Sequence, residues 1–544
     1  MTPTMPGSGG GNASHTHPYS PGSLLVAASD AHITTRLSAD YLCDGTADDV
    51  DINAAIAAAG AGKMELSEGD FTVVAQITPV SGVTIEGQGN STKITMPNAG
   101  DAIDAFFEDA TAGTATDWAI KNLQIDGNKA NVTTSCRGIT VWGSHVLIEN
   151  VWVHDINGQD GIVVSATANL VNVVGCYVKD VDDMGIEVID GATDVTVRGC
   201  TVDGALGAAN FSIHSHTGTA AVTRARFIDC HSLNATGKSY RISGFTGLES
   251  VNCSIINCDD FNPGTGLYVD LSNDSLVSGC SLTSRITSAA TATRLRIVSC
   301  SMSGDCNSYG SYATWQNCVI NGGVLSVLGD HSSVIGLTHN GTNAVNNFGL
   351  AIFTPGHYSS VSGCVLYGED AGARYGIWLR GAQNCTVDGN VVEGWTGSGI
   401  RLNTQTAVNP TGNVVSGNRA EGCGIGISEE ASGDNNFITG NDVTGNTTPL
   451  AKVGASTIVR NNKGWVTENS GTGSIASGAT AATITHGLSV TPTVDDIMVT
   501  LAENPTNTPG AIWVDTITST QFNVNCENDP GASNLDFGWR AVVL

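Results

Sequence analysis

The feature that most constrains this chain is a dipeptide that returns at nearly even steps. Gly175-Cys176, Gly199-Cys200, Asp229-Cys230, Asn252-Cys253, Gly279-Cys280, Ser299-Cys300, Asn317-Cys318 and Gly363-Cys364 each follow a short alternating apolar stretch. Successive members lie roughly 20 to 30 residues apart, with a gap of about two repeats before Gly363. Beyond Cys364 the second letter becomes Asn while the step persists, at Gly389-Asn390, Gly417-Asn418 and Gly440-Asn441. A repeat of this length is one coil of a solenoid, because each coil can bury its apolar face only against its neighbours. One unit reads Leu170-Val-Asn-Val-Val-Gly-Cys-Tyr-Val-Lys179, then a polar turn, then Gly185-Ile-Glu-Val188. Period-two strands between Gly, Asn and Asp turns describe a parallel β-helix. Leucine-rich repeats, the competing solenoid, need a leucine consensus that this sequence does not carry.

Composition agrees. Only 14% of residues are charged, aromatic residues make up 6%, and Gly accounts for 67 of 544 residues, a profile of short strands and tight turns. The formal net charge of −28 argues against nucleic acid or an anionic membrane as partner, since both are held by a basic footprint. No run reaches the roughly 18 apolar residues of a membrane span; Leu24 to Ala28 is apolar but far too short. Met1 to His17 lacks the basic and apolar segments of a secretory signal, so the expectation is a protein that leaves its cell, if at all, by another route. The fifteen cysteines are odd in number and none has the spacing of a zinc site; most are expected as reduced, small hydrophobic core residues, which suits assembly in a cytoplasm.

Four segments are expected: a flexible Gly/Pro/Ser-rich leader over 1–38, a capping helix with first strands over 39–80, a parallel β-helix over 81–463 and a separate module over 464–544. In the second, Thr46 or Asp48 is expected to cap a helix that Gly60 ends, with Ile52, Ile56 and Ala59 on one face. Such a face would close the open end of a solenoid. Asp44-Gly-Thr-Ala-Asp-Asp49, the Ala-rich helix, Met64-Glu-Leu-Ser-Glu-Gly-Asp-Phe71 and Val83-Thr-Ile-Glu-Gly-Gln-Gly89 resemble the opening of the pectate-lyase-like right-handed β-helix family. That family includes polysaccharide lyases and hydrolases and many bacteriophage tailspikes and minor tail proteins. The resemblance is carried by residues 40–95 and continues to about 463 in periodicity. It implies an all-β fold, a right-handed single-stranded parallel β-helix, and treats the Asp-Gly-Thr-Ala-Asp-Asp stretch as structural, not catalytic.

At the carboxyl end, Thr485-His-Gly-Leu488, Ala511-Ile-Trp-Val514, Thr520-Gln-Phe-Asn-Val524 and Phe537-Gly-Trp-Arg-Ala541 resemble small β-sandwich modules of phage tail proteins. Such a module serves as a cap or trimerisation element, or binds a receptor. His15-Thr-His17 has the HxH form that resembles iron-binding motifs of fibrous phage tails, but in a Gly-rich leader it supports no metal, and no cofactor is expected.

In each rung the unit Gly-Ile-x-Val sends Ile and Val inward and x outward. Aligned rungs give one outward column of Thr140, Val163, Glu187, Ser212, Arg241 and Tyr268, resumed at Trp378, Arg401 and Gly426. A second column runs Trp142, Ser165, Ile189, His214, Ser243 and Asp270, resumed at Arg380, Asn403 and Ser428. The alignment breaks between about 281 and 347. Glu187 with Asp183 or Asp160 would supply the carboxyl pair of a glycosidase. Elimination from a uronate would instead need a base, His214 or Arg241, and a cation for the substrate carboxylate; Asp270 and Tyr268 complete that group. Farther on, Trp378, Arg380, Trp395 and Arg401 combine ring faces with guanidinium forks, a set suited to binding sugars and acidic substituents. The expected function is a phage tailspike or minor tail protein, homotrimeric, assembled in the host cytoplasm, joined to other tail proteins through its amino terminus and binding a host surface glycan, with or without cleaving it. A secreted, extracellular polysaccharide lyase is the remaining alternative.

Overall fold

The computed structural model describes residues 23–98, 103–109, 113–215, 220–261, 264–341, 348–368, 374–430, 433–502 and 506–543. The chain divides into two compact units, Met1–Asp305 and Cys306–Leu544. Its coils are those of a right-handed parallel β-helix.

In the first unit each rung contributes two strands separated by a tight corner and a third strand after a polar turn. Asn172–Val174, Tyr177–Lys179 and Ile186–Ile189 make one such rung. Each pairs in parallel with its counterpart in the next, Thr196–Arg198, Thr201–Asp203 and Ala209–His214. Inward residues such as Ile162, Val164, Ile186, Val188, Phe211 and Ile213 are fully buried. Tyr240 is buried with them, its ring stacked 5.1 Å from that of Phe211, and its hydroxyl donates to Cys230 O at 2.8 Å.

The recurring dipeptide is the corner between the first two strands. Its first residue takes a left-handed conformation, with φ of 62° at Gly175, 60° at Gly199, 53° at Asp229 and 52° at Asn257, which explains why Gly, Asn and Asp alternate there. Its second residue points inward and stacks on its counterparts. The register places Tyr177, Thr201, His231, Asp259 and Ser281 side by side, so the stacked thiols are Cys176, Cys200, Cys230, Cys258 and Cys280. Asn252-Cys253 therefore belongs to a different corner from the one its spacing suggested: Ser254 pairs with Arg226 at the start of the first strand. All fifteen cysteines are buried and free, and burial pushes the Cys136 and Cys364 thiols up to about 11, which leaves them inert as nucleophiles.

In the second unit the thiol column gives way to amides. Cys364 N donates to Asn390 Oδ1 at 2.9 Å, and Asn390, Asn418 and Asn441 each donate their backbone N to the next amide oxygen, ending on Asn462, at 3.0 Å. A second ladder, Cys385 to Asn413 to Asn436, runs in the same way with 2.9 Å steps. After the coils, Glu468–Ile475, Leu535–Val542 and Ile497–Leu501 form one antiparallel sheet, and Ala481–Thr485, Gln521–Cys526 and Ile512–Asp515 another. Ile475, Phe522, Val524, Leu535, Phe537 and Trp539 fill the space between them, a β-sandwich. His486 of the Thr-His-Gly-Leu segment is buried in it. Its Nδ1 accepts from Leu488 N at 3.0 Å and its Nε2 lies 3.1 Å from Thr518 O, so its role is to hold two loops.

Two expectations at the amino end need correction. The leader expected over 1–38 contains a strand, Ser23–Ala27, paired in parallel with Lys63–Leu66, and a short helix, Ile33–Ser38. The apolar run that was too short for a membrane is the right length for a buried strand. Residues 1–22, with His15 and His17, lie outside the described residues. The second helix, Asp48–Ala59, has Ala47 at its N-cap, and neither Thr46 nor Asp48 caps it. Asp48 and Asp49 are instead buried in its first turn. Asp48 accepts from Gly45 N and Thr72 N, each at 2.8 Å, and Asp49 from Val74 N at 2.9 Å. The paired aspartates thus fasten the helix to the strand Gly69–Thr72 and its continuation.

Replacing Asn418 by Ala removes donors to Asn441 and Val387 and strands Asn390 N, whose acceptor it is. We expect a loss of about 2–4 kcal/mol, read as a lower urea midpoint at unchanged slope; a loss below about 0.5 kcal/mol would show that the ladder is ornamental.

Candidate functional site

The sheet formed by the third strands carries both outward columns, and in the first unit their register is as aligned from sequence. Thr140, Val163, Glu187, Ser212, Arg241 and Tyr268 are consecutive partners, as are Ile189, His214, Ser243 and Asp270. This outward face is not open to solvent along its length. Glu187 is 5%, Ser212 0% and His214 4% exposed, whereas Asp183, Arg241, Tyr268 and Asp270 are half-buried.

Glu187 Oε1 lies 3.1 Å from His214 Nδ1, and Ser212 Oγ reaches the same nitrogen at 3.0 Å. Asp160, in the preceding turn, accepts from Met184 N at 2.9 Å and stands 3.6 Å from Arg137 Nε. Burial, then the charges of Glu187 and Asp183, push the Asp160 carboxyl up to about 7. Burial, then the Arg241 guanidinium, push His214 down to about 4. Near neutral pH this part of the coil therefore holds a partly protonated carboxyl in the turn at Asp160 and an uncharged imidazole at His214, the two states that proton donation and abstraction require. Asp270 stands apart. It is three rungs on from Ile189, about 14 Å along the axis, and its Oδ2 accepts from Tyr268 Oη at 3.4 Å. Lys238 Nζ sits 5.2 Å over the Tyr268 ring. The six residues named for catalysis thus fall into an inner group of Asp160, Asp183, Glu187, His214 and Arg241, with Asp270 outside it.

In the second unit the corresponding column runs Asn307, Ser326, Ala351, Trp378, Arg401 and Ser428. Gly426 is therefore misplaced by two residues, as is Ser428 in the second column. Gly424-Ile-Gly-Ile427 repeats the Gly-Ile pair and permits a slip that preserves which side chains face out. Trp378 is half-buried in an aromatic island. Its ring centroid is 5.7 Å from Phe348, 5.9 Å from Phe353 and 5.1 Å from Tyr375. Arg380 lies 4.9 Å from the Trp378 ring and Arg401 lies 4.2 Å from the Tyr375 ring. Trp378 Nε1 donates to Asn403 Oδ1 at 2.6 Å. Phe353 was missed from sequence, although Gly349-Leu-Ala-Ile-Phe353 repeats the pattern of Gly376-Ile-Trp-Leu-Arg380 and places it in register with Arg380.

Trp395 does not belong to this surface. It is fully buried, its Nε1 donates to Leu366 O at 3.3 Å, and its ring is 5.8 Å from that of His339. Glycines make the room: a Cβ on Gly368 would stand 2.7 Å from the indole, and one on Gly349 3.0 Å.

A family model described as periplasmic copper-binding protein (NosD) matches residues 232–481, less than half of the chain. Among the described residues the one convergence of three His, Cys, Asp or Glu ligand atoms is Asp126, His154 and Asp155, outside that stretch. The cysteines inside it are buried core thiols, so its described residues gather no such set of ligands and the match is one of coil architecture. No curated protein matches the sequence. Among solved structures, the N-terminal fragment of gene product 12 of bacteriophage Phi29 is 12% identical over 77% of this chain and 91% of that one, with TM-score 0.54. A tailspike mutant of E. coli bacteriophage HK620, in complex with a hexasaccharide, is 10% identical over 91% and 89%, with TM-score 0.44. The A-module of an Azotobacter vinelandii mannuronan C-5 epimerase is 16% identical over 76% and 96%, with TM-score 0.26. At these identities the likeness is one of fold, and the Phi29 fragment, at TM-score 0.54, carries it.

The two shifted groups oppose each other in stability. Asp160 costs nothing below its unfolded value near 3.8 and destabilises progressively as pH rises through about 7. Neutral His214 is stabilising above 6.5 and loses that contribution as pH falls through about 4. Asp160→Asn should therefore raise the melting temperature at pH 8, by the equivalent of a few kcal/mol, and leave it little changed at pH 4. Equal melting of the two proteins at pH 8 would contradict the raised carboxyl.

Proposed function

We propose that this protein is a phage tail component that binds a host surface polysaccharide through the outward face around Trp378. The observation that carries the reading is the arrangement of Trp378, Tyr375 and Phe353 with Arg380 and Arg401 on one sheet face, rings and guanidinium groups interleaved within 6 Å. Ring faces stack on the apolar faces of sugars, and guanidinium forks pair with carboxylate or sulfate substituents. On a chain of net charge −28, Arg380 gives an acidic glycan a place to dock, while Arg401 is paired with Glu430 Oε2 at 2.5 Å and offers its remaining donors. The structural neighbours from phages support the tail setting by fold. The reading carries with it a homotrimer, supported by large apolar side chains left on the surface of a single chain, Phe261 at 66% and Leu206 at 54% exposure. The Gly/Pro/Ser-rich residues 1–22 would join other tail proteins, with assembly in the host cytoplasm.

Binding is tested against a panel of capsular and cell-wall polysaccharides. Wild type should bind at least one, and Trp378→Ala should weaken that binding tenfold or more; no binding to any member refutes the reading. A monomer at high concentration in light scattering would refute the trimer.

A second reading, depolymerisation, rests on Asp160. A carboxyl that keeps its proton up to about pH 7 is a general acid beside Glu187 and Asp183, either of which would act as base or nucleophile. The expected result is release of sugar ends that falls as pH rises above 7 and is lost in Asp160→Asn with binding intact. Binding without release by wild type would leave a purely adhesive protein.

A further inference from the structure

The outward face of the second strands, in the first unit, carries a feature that neither column above includes. Gln124, Trp152, Tyr177 and Thr201 are consecutive in register there, and beside them run Asp126, His154, Lys179 and Asp203. A cavity of about 310 Å³ opens on this face, lined by Asn90, Asn150, Val151, Trp152, Gly175 and Tyr177. Two large rings in adjacent rungs add nothing to the coil's interior, which is filled from the opposite side by Val151, Val153 and Val178.

The rings are held in place by their neighbours. The Trp152 and Tyr177 centroids are 6.2 Å apart with planes inclined at 39°. The Tyr177 hydroxyl donates to Asp203 Oδ2 at 3.1 Å. On the other side the His154 ring lies 4.3 Å from Trp152, and His154 is itself fixed, Nδ1 at 2.7 Å from Asp155 Oδ2 and Nε2 at 3.3 Å from Gln124 Oε1. Gln124 in turn donates to Asn90 O at 2.6 Å. The result is an indole clamped between an imidazole and a phenol, beside a hollow rimmed by the amides of Asn90 and Asn150, with no charged side chain in its lining. Gly175 forms part of the wall as one of the left-handed corners.

The geometry points to a preformed pocket for a neutral pyranose unit, stacked on Trp152 and bounded by Tyr177, with its hydroxyls met by Asn90 and Asn150. An aromatic plane supplies the apolar contact and amides supply both donors and acceptors. Clamping of the ring removes the ordering cost that a mobile tryptophan would impose on binding. The pocket is distinct from the Trp378 face in both position and chemistry, because it lacks the guanidinium groups that would favour an acidic sugar.

The test uses the full chain carrying Trp378→Ala, so that its outcome is separate from that of the polysaccharide reading. Titration calorimetry with maltohexaose, cellohexaose and mannohexaose should give saturable binding of at least one. Adding Trp152→Ala should weaken it tenfold or more, while Trp152→Phe, which keeps a ring, should retain most of it; unchanged melting temperatures exclude unfolding as the cause. Tyr177→Ala, on the facing rung, should weaken it by a smaller factor. The pocket is refuted if none of the three oligosaccharides binds the Trp378→Ala chain, or if binding survives Trp152→Ala.

Discussion

Everything in the coils depends on one repeated contact: a corner residue in left-handed conformation followed by a small or amide side chain that stacks on its equivalents above and below. A parallel sheet fixes its register by which residues face the core, and a slip of one residue would turn every side chain over. The corner prevents such a slip, because the left-handed position tolerates few residue types and the stacked column admits few sizes. Where the column is thiol it is held by packing and by long, weak sulfur hydrogen bonds, as from Cys176 N to Cys200 Sγ at 3.4 Å. Where it is Asn, each amide oxygen takes the backbone N–H of the rung before it, as Asn418 does for Asn390, and register is written in hydrogen bonds.

Once register is fixed, the outer face becomes a grid on which side chains can be placed independently of folding. Three surfaces use it differently. On the third strands of the first unit, turn residues and strand residues crowd carboxyls and an imidazole together so that burial decides their protonation. On the equivalent strands of the second unit, rings and guanidinium groups alternate. On the second strands of the first unit, an indole is locked between two other rings. In each case neighbours along the column do the positioning, which is why adjacent rungs and not sequence neighbours share a site.

The sequence makes the coil legible because each rung repeats Gly-Ile-x-Val and its corner. The columns from Thr140 to Tyr268 could be aligned for that reason, even where the letters change to Phe211-Ser-Ile213 and Tyr240-Arg-Ile242 and only the apolar alternation remains. Other features depended on packing and left weaker traces. Cys253 and Cys258 are five positions apart, and spacing alone selected the wrong one for the stack. The strand Ser23–Ala27 was hidden in Gly- and Pro-rich surroundings. Trp395 looked like an exposed aromatic because the glycines that accommodate it, Gly349 and Gly368, lie in other rungs. The burial of Glu187 and His214 depends on packing around the sheet, which alternation does not encode; the pairing of Trp152 with Tyr177 lies on the second strands, outside the columns aligned on the third.

The free thiols have a further consequence. Cysteines recur through most of the coils and one lies in the terminal sandwich, all shielded from solvent. A thiol in such a place reacts with an alkylating reagent only when its own rung opens. The coils therefore carry built-in reporters at successive heights, and the order in which they become reactive would trace how the solenoid unravels, coil by coil.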